Sequence, residues 1–190
     1  MASPIAHSLA GAAVYWASLK SPTPLDEWRQ HARPLALFAI LANLPDLDFI
    51  PGWLLKGNPN AYHHGWTHSF VFVTAAALLI SWVIKFRATK AANRAWFLAA
   101  TGSHLLIDYF TGPALGRIAS YGMPLLWPFS ETRFSSPVSL VVGPEHHDLQ
   151  HLFGWHNWLW AAYEALVFGG LFLLVTRWKS AKWPSAARSR

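Results

Sequence analysis

The chain predicts an all-α fold, a helical membrane protein of about five apolar helices with a polar site at one end. Three observations lead there. Apolar residue types make up 53% of the 190 residues and charged ones only 13%, well below the usual quarter for a soluble domain. Apolar runs recur, separated by short polar segments, and the ends of those runs alternate in charge. The length suits one domain, residues 1–176, followed by a basic tail at 177–190.

The first segment opens at Ser3-Pro4, a cap residue followed by the proline that favours the first helical position, and runs to Leu19. No basic residue precedes it and His7 lies inside it, so it is expected in the mature protein rather than in a cleaved signal peptide. A polar linker, residues 20–34, carries Pro22 and Pro24. Leu35 to Leu44 then forms the second segment, ended by Pro45. Phe70 to Ile84 is the third and Ala95 to Phe110 the fourth, closed by Thr111-Gly112-Pro113. Residues 121–139, rich in proline, glycine and aromatics, read as an ordered non-helical excursion, and Asn157 to Thr176 is the longest apolar run. Only that last run clearly reaches the ~20 residues of a membrane span, so the charge pattern carries the topology. A soluble helical protein with a single anchor is the rival arrangement.

If the five segments alternate in direction, Lys20, Arg29, Arg33, Lys85, Arg87, Lys90, Arg94, Arg177, Lys179, Lys182, Arg188 and Arg190 fall on one side. The other side takes Asp46, Asp48, Asp108, Glu131, Glu145, Asp148 and every histidine except His31. The positive-inside rule makes the basic side cytoplasmic. The expected location is therefore the inner membrane, with the polar site facing the non-cytoplasmic side and the lipid bilayer as a partner. Trp53, Trp66, Trp155 and Trp158 would edge the outer interface, and Trp16, Trp82, Trp96 and Trp178 the inner one. The net charge of +6 does not mark a nucleic-acid binder, because the basic residues fall in blocks between apolar segments, so no nucleic-acid partner is expected.

The polar side carries the chemistry. Asp46 and Asp48 follow the C-terminal end of the second segment, where the helix dipole disfavours anions and a cation would relieve the cost. His63, His64 and His68 cluster just before the third segment. His104 and Asp108, four residues apart, share one face of the fourth. A structural Asp–His hydrogen bond would explain that last pair alone, but His7 and the other acids and imidazoles reach the same end. Without cysteine, a metal site here is built of nitrogen and oxygen ligands, which suit a divalent metal, zinc first and manganese, iron or nickel after it. One or two ions are expected. A carboxylate bridging two would serve hydrolysis of phosphate esters. A second cluster, His146, His147, His151 and His156, reads more simply as solvated surface.

Taken together, His7, Leu44-Pro45-Asp46-Leu47-Asp48, His63-x-Gly65-x-Thr67-His68-Ser69, His104-x-x-x-Asp108 and the Gly122–Ser130 segment resemble a bacterial and archaeal family of membrane-bound predicted metal-dependent hydrolases, some regulated by LexA. That family carries arginine where His64 stands, so the guanidinium it would offer a phosphate is absent at this position. More distantly, the set is similar to the all-helical zinc-dependent phospholipase C and zinc single-strand nuclease enzymes. The resemblance implies that Asp48, His68, His104 and Asp108 hold the principal ion and that His7 helps a second. We add Asp46 at or near that second ion, and expect His63 and Asp46 to be catalytic, His63 positioning water or substrate. The expected activity is metal-dependent hydrolysis of a small-molecule or lipid phosphoester. The alternative is a non-enzymatic metal-binding or transport membrane protein, since histidine and aspartate within membranes also mark ion pathways.

Overall fold

The structure is a computed structural model that describes residues 1–20, 28–84, 90–117, 121–145 and 153–182. Among the described residues six α-helices carry it: α1 (Pro4–Ser18), α2 (Trp28–Ala42), α3 (Phe49–Lys56), α4 (Phe70–Val83), α5 (Lys90–Tyr109) and α6 (Trp155–Lys182). A two-stranded parallel pair, β1 (Thr111–Gly112) and β2 (Val141–Val142), closes the site end. The basic residues Lys85 and Arg87, the tail beyond residue 182 and His146, His147 and His151 lie outside the described residues.

Helix α1 starts as its sequence asks: the Ser3 hydroxyl accepts from the Ile5 amide and Pro4 occupies the first turn. It packs against α2, α5 and α6, while α4 lies on α5. Gly11 sets the α1–α2 spacing. A Cβ there would come within 2.3 Å of the Phe38 carbonyl oxygen, so only hydrogen fits. Helix α2 begins at Trp28, ahead of the apolar run, and contains Pro34. Pro34 lies inside the helix, in its second turn, where its missing amide removes one i→i−4 bond, that to the Gln30 carbonyl. Two long-range bonds orient α6. Ser3 meets Glu164 through its amide and hydroxyl, and Lys179 Nζ donates to the Leu19 carbonyl at 2.6 Å. Helices α1 and α6 therefore run in the same direction.

The five membrane crossings expected from the charge pattern are corrected by helix length and composition. Among the described residues one helix is long and apolar enough to cross a bilayer, Trp155–Ala181, with a mean hydropathy of 1.7 and 17% of its apolar 18-residue stretch buried. A second passes only if Arg29–Ala42 and Leu44–Lys56, bent by 60°, count as one broken span. At ~1.5 Å per residue the 15 residues of α1 and the 14 of α4 fall short of the ~30 Å hydrocarbon layer. Apolar side chains still face outward along α4 and α6, including Leu79, Trp82, Val83, Leu166 and Leu174. The expected inner-interface role of Trp16 also fails: it is 2% exposed and packs with Tyr15, Phe38 and Phe97 in the apolar core.

The non-helical excursion expected over residues 121–139 is ordered by backbone pairing. Met123 bridges Phe134 and Gly116 bridges Ser139, both antiparallel. The Phe70 amide donates to the Leu125 carbonyl at 3.0 Å, tying this segment to the start of α4. It thereby lies over the end of the bundle where the histidines and aspartates collect.

Candidate metal centre

Each helix contributes to the site by the end that faces it. His7 lies in the second turn of α1, and His104 and Asp108 in the last turns of α5. Asn43 ends α2, donating to the Ala39 carbonyl at 2.8 Å and to the Ser8 hydroxyl at 3.0 Å, and a 3-10 turn over Leu44–Asp48 follows. That turn carries Asp46 and Asp48. A second 3-10 turn, Trp66–His68, delivers His68 just ahead of Ser69, whose hydroxyl caps α4 by accepting from the Phe72 amide.

Four atoms meet at the centre: Asp46 Oδ1, His68 Nε2, His104 Nε2 and Asp108 Oδ2. The aspartate oxygen of residue 46 lies 3.3 Å from His68 and 3.4 Å from His104, that of residue 108 lies 3.5 and 3.2 Å away, and the two imidazole nitrogens are 3.1 Å apart. Neighbouring hydrogen bonds assign the tautomers. His104 Nδ1 donates to the Ala42 carbonyl at 2.8 Å, which leaves Nε2 with a lone pair. The Thr67 hydroxyl donates to Asp48 Oδ2 at 2.7 Å, so its oxygen accepts from His68 Nδ1 at 3.0 Å, leaving His68 Nε2 with a lone pair too. With both imidazoles neutral, four acceptors face one another with no donor between them. The edges of a tetrahedron whose centre is ~2.0–2.1 Å from each ligand measure ~3.3 Å. The residues present fit a divalent ion.

Two further groups overlap this one: Asp46, Asp48 and His63, and His63, His64 and His68. His63 Nδ1 lies 3.1 Å from Asp48 Oδ1 and 4.0 Å from Asp46 Oδ1. Fully buried His7 stacks on His104 with ring centroids 3.9 Å apart, its Nε2 3.4 Å from Asp108 Oδ1. The Ala2 amide donates to that same oxygen at 2.8 Å, leaving Oδ2 toward the centre. Both Asp46 oxygens, both His7 nitrogens, His64 Nε2 and Asp108 Oδ2 are buried without a hydrogen bond. Buried polar atoms are normally satisfied, so this concentration at one spot points to a cation-binding role.

Every sequence-predicted site residue reaches this end of the molecule, but the division of labour differs. Asp46 joins His68, His104 and Asp108, whereas Asp48, expected among those four, binds Thr67 and His63 and stands behind His68. The tight 3-10 turn causes this, aiming the two carboxylates at different neighbours. His64, set aside in the sequence as the occupant of an arginine position, has its Nε2 3.7 Å from Asp108 Oδ2 and donates from Nδ1 to the Gly122 carbonyl at 3.3 Å. Its positive φ of 55° turns the ring inward. Thr67 enters the sequence reading only as part of a motif, with no role of its own, and Glu164 not at all: a hydroxyl beside a histidine is a weak signal, and Glu164 is one acid in a long apolar run.

Electrostatics agree with this layout. Burial works against the charged forms of Asp46 and Asp48, yet His104 and His68 hold Asp46, and His63 and His68 hold Asp48, below the ordinary carboxylate range. Burial likewise opposes a charge on His68, but Asp108, Asp46 and Asp48 outweigh it and raise its pKa well above the usual value. Burial pushes His64 well down despite the nearby Asp108, so it stays neutral and able to ligate.

A pocket of about 530 Å³ opens beside the cluster, with His63, His64, Asn60, Tyr121 and Arg133 in its wall. Of the second histidine cluster only His156 is described; it packs on Trp155 with ring centroids 3.7 Å apart. No solved structure matches the chain. Inner membrane protein YbcI of Escherichia coli (strain K12) is 32% identical over 113 residues, which cover 57% of this chain and 62% of that protein. The chain thus matches about three fifths of the length of that relative. Residues 1–183 match the model of the YdjM inner membrane proteins, and the chain belongs to that family.

Proposed function

We propose that the chain is a metal-dependent hydrolase of phosphoesters, working at the surface of the inner membrane. The observation that carries this reading is the convergence of Asp46 Oδ1, His68 Nε2, His104 Nε2 and Asp108 Oδ2, acceptors only, beside an open pocket. A divalent cation, zinc by the chemistry of the donors, would supply a Lewis acid and bring the pKa of a bound water down to ~7. His68 and His104 present fixed Nε2 lone pairs, because Thr67 and Ala42 hold their other nitrogens. Asp46 belongs to two of the groups, so its carboxylate suits a bridge if a second ion is held with Asp48 and His63. His63 lines the pocket and is held by Asp48, as befits an imidazole that orients a water or accepts its proton.

The transport alternative expects polar groups to recur along the helices. Beyond the site, the same helices bury Tyr15, Trp16, Phe38 and Phe97, which favours chemistry at one end over passage through the bundle. Lys20, Arg29, Arg33, Arg94 and Arg177 lie toward the opposite ends of their segments from the site residues. This supports a site facing the non-cytoplasmic side.

Metal analysis of protein purified without chelator, followed by assays on phosphomonoesters, phosphodiesters and phospholipids, tests the reading. We expect at least one equivalent of metal and an activity that His104→Ala removes. A metal-free protein that added zinc does not stabilise, or equal activity in His104→Ala and the parent, would overturn it.

A further inference from the structure

The pocket has one feature that the metal centre does not use. Arg133 stands in its wall, one residue before the Met123–Phe134 bridge that fixes the local backbone. Its guanidinium is pinned from behind: Nη1 donates to the His64 carbonyl at 3.1 Å and to the Gly122 carbonyl at 3.4 Å, and Nη2 to the His64 carbonyl at 3.2 Å. Gly122, at φ 72°, permits this approach, since a Cβ there would come 3.2 Å from that of Arg133. The Tyr121 ring lies 6.0 Å from the guanidinium carbon.

These contacts orient the group without neutralising it. Carbonyls engage the two terminal nitrogens, and a guanidinium has five N–H donors, so some remain for a ligand. Among the described residues no carboxylate lies within ion-pair distance of Arg133, although three aspartates sit deeper behind the same wall. The Gly122 carbonyl also accepts from His64 Nδ1, placing the guanidinium one hydrogen-bonding group away from an imidazole that faces Asp108. A fixed cation that pairs with no carboxylate among the described residues thus shares a small pocket with His63 and His64 of the metal groups.

We propose that Arg133 is the anion-recognising residue of this pocket, binding oxygens of a phosphate group whose remaining oxygens face the His/Asp cluster. The inference rests on the hydrolase reading and narrows its substrate class to molecules with an accessible, charged phosphate. A planar donor fork matches phosphate geometry in a way that a lone ammonium does not.

The test uses the full chain, zinc-loaded, in phosphatidylcholine nanodiscs, with inorganic phosphate in one titration and soluble short-chain phosphatidic acid in another. Zinc per chain and circular dichroism accompany each titration. Arg133→Gln should weaken phosphate binding about tenfold or more with zinc content unchanged, and Arg133→Lys should fall between variant and parent. If phosphatidic acid binds the parent more tightly than inorganic phosphate and Arg133→Gln weakens both, the proposal holds with a lipid headgroup as the source. Equal binding of the two probes, both weakened, supports it with free phosphate chemistry. Unchanged phosphate affinity in a folded, zinc-loaded Arg133→Gln overturns it, as does a zinc-loaded parent that binds neither probe. A parent that takes up no zinc instead removes the hydrolase reading beneath it.

Discussion

Histidine occurs at both ends of the same helical bundle, and its surroundings differ completely. At one end His31 Nδ1 pairs with the Tyr15 hydroxyl, and its ring lies 5.2 Å from that of Trp16, beside the packed core of Phe38, Leu41 and Phe97. One hydroxyl meets its Nδ1. At the other end His7, His64, His68 and His104 face Asp46 and Asp108, and several of their buried atoms have no donor or acceptor of the right kind. The first end contributes stability by burying apolar surface. The second costs stability unless a cation is bound, because buried carboxylates and imidazoles lose hydration that nothing else replaces. What the contrast teaches is that polar burial alone does not mark a site; polar burial whose lone pairs all point at one another does.

The comparison breaks first at the apolar end. Phe97 is fully buried against Phe38, ring centroids 5.7 Å apart, and Phe97→Ala should destabilise the protein by about 3–5 kcal/mol. Zinc bound per folded chain should not change. Thermal unfolding in detergent, with metal analysis of the folded fraction, checks both. If zinc were lost in proportion to stability, the two ends would not be separable.

Next in size is Asp46→Asn, which removes the charge of a proposed ligand while keeping the shape. Zinc affinity should fall about 100-fold, ~2.7 kcal/mol, read by competition with a chelating dye. A change of less than about threefold would mean that Asp46 does not hold the ion. This variant separates the structure from the family resemblance, which implies Asp48 for the same place.

Glu164→Leu concerns the joint between α1 and α6 rather than the proposed ligands. Glu164 is fully buried and accepts from the Ser3 amide and hydroxyl, and the neighbouring Ala2 amide holds Asp108 Oδ1. Leaving those Ser3 donors unsatisfied should cost about 1–3 kcal/mol of stability. An unchanged melting temperature would show that Glu164 does not tie α6 to α1.

Much of this layout was legible because chemistry and periodicity coincide. The His104–Asp108 spacing puts both side chains on one helical face, and the charge alternation brings the ends bearing His7, Asp46, His68 and Asp108 to one side of the bundle. Two kinds of information were hidden. The number of crossings was overcounted because apolar composition does not distinguish a lipid-facing helix from one that packs inside: α1 buries Ala6, Ala10, Tyr15 and Trp16. The roles of Asp46, Asp48 and His64 depend on a 3-10 turn and on a left-handed backbone conformation, neither of which residue type alone announces.

The finest form of the comparison lies within the site, between a residue that touches the ion position and one that supports it. Asp48 Oδ2 accepts from Thr67, and Thr67 in turn accepts from His68 Nδ1, so the pair fixes which nitrogen of His68 faces the centre. Supporting contacts of this kind are worth ~10- to 100-fold in metal affinity. Thr67→Val keeps the side-chain volume but removes the oxygen, and Asp48 Oδ2 still lies 3.4 Å from His68 Nδ1 to take over as its acceptor. The loss should therefore sit at the low end, about tenfold or ~1.4 kcal/mol, smaller than for Asp46→Asn. The double variant Asp48→Asn/Thr67→Val should lose more than Thr67→Val alone, because both routes that orient His68 are then weakened. If Thr67→Val instead matched Asp46→Asn, the hydroxyl would be part of the ion's own shell, and the boundary between ligand and support would move outward by one residue.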